Sequence, residues 1–241
     1  MRFLVTMSEN RTASSMERVA CLQHRLKSLD YQKQLLVDKR LGYAFRSEDA
    51  STSYLMFKDI RALEDLDELV KGDPSWAYCS TEVMPVTTTA SMMREMYKSL
   101  GPKVLGEEFE AKTMAALEGD EEPIDEDGTY SLAAKRAKDI SAITSPDLLN
   151  EMWSRVIESQ RLHLNSTIEF ADHNPVGKPW GILIGKTNVS ELQQHVESAP
   201  IFPDTDVTFE NLLTLKQARN LTAMELERSR RAVPKSALFD M

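Results

Sequence analysis

Slide the chain 126 residues along itself and one half lies over the other. A repeat of that length constrains the fold more than any short motif, because each copy must be a supersecondary unit of one plan. Residues 53–86 fall on 179–212, which sets Leu66 on Leu192, Val70 on Val196, Pro74 on Pro200 and Trp76 on Phe202. The same offset places RFLVTM (2–7) over GTYSLA (128–133). It also lays a helix carrying Leu22, Leu26 and Leu29 over one carrying Leu148, Met152 and Arg155. Three segments share one offset although few residues are identical.

Each copy reads β-α-β-β-α-β. In the first, Arg2–Met7 is a strand, and Ser14 or Ser15 caps a helix with Met16, Val19, Leu22, Leu26 and Leu29 at helical spacing. Gly42–Arg46 and Tyr54–Lys58 form a hairpin, Arg61–Lys71 a short helix stopped by Gly72, and Tyr78–Val86 the last strand. In the second, Ser145-Pro146-Asp147 opens a helix reaching to about His163. Thr167–Asp172 and Trp180–Gly185 are its hairpin, Val189–Glu197 its short helix and Thr205–Leu213 its last strand. Two helices, 90–100 and 107–118, are expected between the copies, and another from Lys216 to Arg231 follows them.

Strands such as FLVTM and WGILIG are apolar at both alternations, so both faces of each sheet should be buried. Helices cover one face, and the second copy can cover the other. The expected fold is α+β, two tandem ferredoxin-like units packed sheet to sheet as an intrachain dimeric α/β barrel, with a ligand between the sheets. The domains are then 1–88, a spacer 89–126, 127–214 and a helical tail 215–241. A homo-oligomer of such fused pseudo-dimers is possible.

The net charge of −9 is carried by residues 107–127, where ten acids face one base, Lys112. The rest of the chain sums to zero, so no basic field attracts nucleic acid. The acidic stretch reads as a solvated linker, mobile and protease-sensitive over 119–127. EGDEEPIDEDG lacks the spacing of an EF-hand, and no other metal-ligand pattern appears. No apolar run approaches the roughly 20 residues of a membrane span, and MRFLVTMSENR is too short for a signal peptide. A cytoplasmic protein with reduced Cys21 and Cys79 is expected, and the four N-x-S/T sequons are read as chance.

The opening MRFLVTM, the stretch 53–86 and above all SELQQHVESAPIFPDTDVTFENLL (190–213) resemble the muconolactone isomerases. The match lies in Ala199-Pro200-Ile201-Phe202-Pro203 followed by Asp204 and Asp206. The first copy keeps only Pro74 and Trp76. The resemblance implies the dimeric α+β barrel class and a cofactor-free enzyme of small unsaturated lactones or enols. Polyketide cyclases and cofactor-independent monooxygenases share that class.

Moving a double bond in a lactone takes a proton from one carbon and returns it to another, which one base of tuned pKa in a dry pocket can do. Strand alternation puts Glu169, Ala171 and His173 on one face and Ile168 and Phe170 on the other. Glu169 is the candidate proton shuttle, with His173 beside it. Tyr54 and Trp180 coincide under the 126 shift and could stack on a planar ligand. Arg46 could hold a ligand carboxylate, and Tyr43 stands where Glu169 stands in the other copy. Asp204, Asp206 and Glu210 are weaker candidates. Thr129, Ser131 and Ala133 oppose Phe3, Val5 and Met7, so small side chains, with Gly181 and Gly185, leave room in the second copy. Isomerase or cyclase chemistry is expected. A cofactor-independent monooxygenase and a non-catalytic binding or scaffold protein are the alternatives.

Overall fold

The computed structural model describes residues 1–10, 15–88, 91, 94, 123–137, 151, 154–156, 158–159, 162, 168–173 and 180–232. The spacer helices expected at 90–100 and 107–118, the Ser145-Pro146-Asp147 cap and residues 119–122 lie outside these. The chain divides into two compact units. Unit 1 is Met1–Met84, Ile124–Gly128 and Leu212–Met241; unit 2 is Pro85–Pro123 and Thr129–Asn211.

Unit 1 contains β1 (Arg2–Glu9), α1 (Ser15–Val37), β2 (Leu41–Ser47), β3 (Thr52–Phe57), α2 (Leu63–Lys71), a 3-10 turn at Trp76–Tyr78 and the start of β4 (Cys79–Thr88). β3 pairs antiparallel with β1 on one side and β2 on the other. The amide of Asn10 donates to Tyr78 O at 2.8 Å, and Ser80 Oγ to Ser8 O at 3.3 Å, beside β1. The strand order is therefore β4-β1-β3-β2. Alternation sends Phe3, Val5, Met7, Ala44, Leu55 and Phe57 into one core with Leu29 and Leu35 of α1 and Leu66 and Val70 of α2. Leu4, Tyr43, Phe45 and Met56, on the opposite face, are buried too. Doubly apolar strands thus do bury both faces, but Phe3, Val5 and Met7 pack under the helices and do not face a ligand space between sheets.

The end of β8 (Thr205–Leu213) pairs with β2, and α4 (Leu215–Ala232) follows it onto unit 1; the helix between them in number is α3 (Val189–Glu197) of unit 2. Leu215 and Ala218 enter the unit 1 core, and Leu226 packs on Val19 and Leu22. Arg219 pairs with Asp30, and Glu225 with Arg18 and Arg25. The end of the acidic stretch is docked at the start of α4. Thr214 Oγ1 donates to Glu126 O at 2.7 Å, the Lys216 amide to Glu126 Oε2 at 2.9 Å, and Lys216 Nζ reaches Asp127 at 2.6 Å. Glu126 and Asp127 are thus tied to the helix start, with Asp127 still solvent-exposed as expected of the acidic stretch. A helix N-terminus with unpaired N–H groups and a positive dipole end attracts the carboxylates at the end of the linker.

Unit 2 contains β5 (Tyr130–Ala137), β6 (Ile168–His173), β7 (Trp180–Gly185), α3, a 3-10 turn at Phe202–Asp204 and the start of β8. β7 pairs antiparallel with β5 and β6, and β8 lies beside β5, so the order is β8-β5-β7-β6. The end of β4 pairs with β6 through Thr87 and His173. Ala133, Leu183, Leu192 and Val196 form the core, with Ile168, Phe202, Val207 and Phe209 against it. Asn188 caps α3, its side chain accepting from the Glu191 amide at 3.0 Å.

The repeat is real in strand order, but its offset is not constant. α2 and α3 differ by 189 − 63 = 126, yet β1 and β5 differ by 130 − 2 = 128, as do β3 and β7 by 180 − 52 = 128. Five residues (58–62) join β3 to α2, against three (186–188) between β7 and α3. Loops absorb such changes at small cost, so a gapless shift of 126 misplaces β5 and β7 by two while keeping α3 and β8 in place. Trp180 therefore stands where Thr52 stands, and Ile182 where Tyr54 stands; Tyr54 and Trp180 are not equivalent. Among the described residues no helix is long and apolar enough to cross a membrane.

Candidate functional site

Register decides which residues meet across a sheet. In unit 1, Met7 pairs with Ser53 and Ser53 with Arg46. In unit 2, Lys135 pairs with Gly181 and Gly181 with His173. These two rows are equivalent, with Met7 matched by Lys135, Ser53 by Gly181 and Arg46 by His173.

The unit 1 row is held by its own hydrogen bonds, with only the Arg46 Nε, of that guanidinium's nitrogens, left without a partner among the described residues. Arg46 is 1% exposed. Its guanidinium donates to Ser28 Oγ at 2.9 Å, to Gln32 Oε1 at 3.5 Å and to Ala50 O at 3.3 Å. Ser28 Oγ and Gln32 Nε2 donate in turn to Asp73 Oδ2 at 2.9 and 2.8 Å. Asp73 Oδ1 accepts from the Ser75 amide at 2.8 Å. Burial lowers the Arg46 pKa, and Asp73 opposes that shift. A buried cation needs such partners. Arg46 is thus an anchor inside unit 1, on the helix side of the sheet, rather than a clamp on a ligand carboxylate.

The unit 2 row differs in chemistry. Lys135 is 8% exposed, and burial pulls its pKa down to about 8. His195, half-buried on α3, has a lowered pKa because of burial and because of Lys135. The position of Asp73 in the short-helix repeat is taken by Ala199, which is buried. One pair along from the core, Ser131 opposes Gly185, and its buried Oγ has no hydrogen-bond partner among the described residues. Lys135 escaped the sequence reading because a shift of 126 sets it over Glu9, at a strand end. A shift of 128 sets it over Met7, deep in a core.

Glu169 lies in β6 at a register shift between Ile168 and Phe170. An extra residue there breaks the alternation, so one parity does not run from Glu169 to His173. Ile168 packs on the core as expected. Ala171 pairs with Leu183, a core residue, whereas Phe170 pairs with Ile184 on the opposite parity. A similar shift occurs in β2 between Leu41 and Tyr43. The side chains of Glu169, His173 and Trp180 lie outside the described residues. Tyr43 is fully buried with its ring 6.0 Å from Phe45, and Tyr54, half-buried, pairs with Phe45. Together with Met56 and Leu4 they give unit 1 an aromatic, base-free non-helical face. Burial raises the thiols of Cys21 and Cys79 to about 11 and about 12, which leaves them unreactive. Among the described residues no cluster of three or more His, Cys, Asp or Glu could hold a metal ion.

No family model and no curated protein matches the chain. Solved structures do. A mutant chlorite dismutase from Candidatus Nitrospira defluvii is 10% identical with a TM-score of 0.53, covering 92% of this chain and 95% of that one. The same organism's enzyme in complex with imidazole gives 10% identity and a TM-score of 0.51, covering 92% and 95%. A further mutant of it, in complex with cyanide, gives 10% identity and a TM-score of 0.52 over the same shares, 92% and 95%. The chain has a chlorite dismutase-like fold. At this identity the likeness speaks for the fold alone.

Proposed function

We propose that this chain is an enzyme that moves a proton on a small unsaturated ring or enol compound, as an isomerase or cyclase, and that unit 2 is the working copy. Its two units are read as tandem ferredoxin-like copies of one plan, in which the polar groups of the unit 1 row are tied up in Arg46's hydrogen bonds while the unit 2 row carries Lys135 and His173. The observation that carries this is the contrast between Met7–Ser53–Arg46, locked by Ser28, Gln32 and Asp73, and Lys135–Gly181–His173. A proton-transfer catalyst needs a base whose pKa lies near the working pH. The second row supplies the Lys135 amine, which burial brings down to about 8, and His195 stands near it with its pKa lowered by burial and by Lys135. Glu169, two residues from a core-paired position of β6, is the carboxylate candidate.

A base-free oxygenation of an aromatic substrate is the second reading, favoured by the Tyr43, Phe45, Tyr54 and Met56 face of unit 1.

The experiment is turnover of muconolactone and related enol-lactones by the full chain in D2O, followed by ultraviolet absorbance and deuterium incorporation. Deuterium is expected at the carbon that receives the proton, at the end of the three-carbon system opposite the one deprotonated. Glu169→Gln or His173→Gln should lower it by about a hundredfold to ten-thousandfold if that residue is the base. No exchange with any of these compounds would overturn the reading.

A further inference from the structure

A methionine satisfies the row position of Lys135 in unit 1, where Met7 is 1% exposed in the core. Unit 2 has instead an amine at the same register, on a strand whose other core-facing residues are Ser131 and Ala133. Opposite it stands Gly181, which presents no side chain where unit 1 has Ser53. The next pair along, Ala133 with Leu183, packs on Leu192 and Val196 of α3. The same helix brings His195 within electrostatic reach of the amine. A buried amine, with a glycine across from it and a histidine on the helix packed over the same strands, has a setting in which lysines act as nucleophiles.

We infer that Lys135 is a nucleophile that captures a small aldehyde or ketone, of the β-keto acid type, as an imine. The inference rests on unit 2 being the working copy and narrows its substrates to carbonyl compounds. The amine lone pair bonds to the carbonyl carbon, and the amine proton passes to the carbonyl oxygen to give a carbinolamine. That oxygen takes up a proton from solvent and leaves as water, and the C=N bond forms as an iminium cation whose nitrogen keeps its remaining hydrogen. Nothing is oxidised or reduced. The iminium draws electrons from the adjacent C–H bond, so that a neighbouring base can take that proton, the movement proposed above. Burial supports the first step, since with a pKa of about 8 roughly one amine in ten is uncharged at pH 7.

The full chain is incubated with acetoacetate and sodium cyanoborohydride at pH 7, digested, and mapped by mass spectrometry. Adducts on the peptide containing Lys135 should exceed those on exposed lysines such as Lys71 and Lys216 by tenfold or more, and unfolding in urea should erase the preference. Lys135→Met should lose the adduct while keeping cooperative unfolding. Label spread over surface lysines with none on Lys135 overturns the inference, and if lactone turnover persists in that case the proton-transfer reading still stands. An adduct on Lys135 in a chain that turns over no lactone supports the inference and removes the lactone chemistry.

Discussion

Met7 and Lys135 occupy one register position in two copies of one sheet, so their energetics can be compared with the backbone held alike. The Lys135 amine falls from its ordinary 10.5 to about 8 through burial, equivalent to about 3 kcal/mol. The folded chain disfavours the proton that the unfolded chain keeps up to pH 10.5. The penalty is therefore full below pH 8, shrinks between 8 and 10.5, and is gone above. Lys135→Met should raise stability at pH 7 by about 1–3 kcal/mol, and the gain should vanish toward pH 10.5, as urea midpoints at the two pH values will read. Equal destabilisation at both would show that the amine is stabilising where it lies. A residue that costs stability and whose loss removes activity is the signature of function over packing. No sequence pattern marks it: a lysine in YSLAAKRA reads as a strand end until the register is known. Arg46 was legible as a strand residue but not as buried, because its partners Ser28, Gln32 and Asp73 come from two helix-side segments distant in sequence.

Among the elements, the strands and short helices of both copies were legible because period-2 and period-3.6 apolar patterns are strong where one face is buried. β7, α3 and β8 fall where the pattern puts them, at Trp180–Gly185, Val189–Glu197 and Thr205–Leu213. Two element-scale features were not legible. Bulges at Leu41/Tyr43 and Ile168/Phe170 leave no mark in composition, and each reverses the face of every later residue in its strand. The other is the start of α4. Thr214-Leu215-Lys216-Gln217 is a capping box: the Gln217 amide donates to Thr214 Oγ1 at 3.3 Å, and the Thr214 amide to Gln217 Oε1 at 3.0 Å. Thr214 is also fully buried and donates to Glu126 O. Thr214→Ala removes both the cap and that bond, and should cost about 1–2 kcal/mol, read as a lower urea midpoint with an unchanged slope. Thr214→Ser, which keeps the hydroxyl, should recover most of it. An unaffected midpoint in Thr214→Ala would show that Glu126 and Asp127 alone hold the helix start.

At the scale of the whole molecule, a repeat predicts two units, but the structure does not divide the chain at the repeat boundaries. Unit 1 takes in 1–84, the short segment 124–128 and everything from 212 on. The reason is apolar area. The face of α1 and the β2 edge leave Leu29, Leu35 and Ala44 to be covered, and Leu215, Ala218 and Leu221 supply part of that cover. Val19 and Leu22 are covered in the same way by Leu226. A tail read from its polar composition alone looks dispensable, whereas each fully buried Leu contributes about 1.5–3 kcal/mol. Ending the chain at residue 213 removes Leu215 and Leu226, along with Arg219–Asp30 and Glu225–Arg25. The loss should be on the order of 5 kcal/mol, comparable with the whole stability of a small domain. The truncated protein should show a much lower urea midpoint, or no cooperative transition at all, and should bind a hydrophobic dye where α4 has left α1 bare. Truncation at residue 232, which keeps all of α4, should leave the midpoint unchanged. If ending at 213 does no more than that, the docked helix contributes little, and unit 1 holds together on β1 to β4 with α1 and α2 alone.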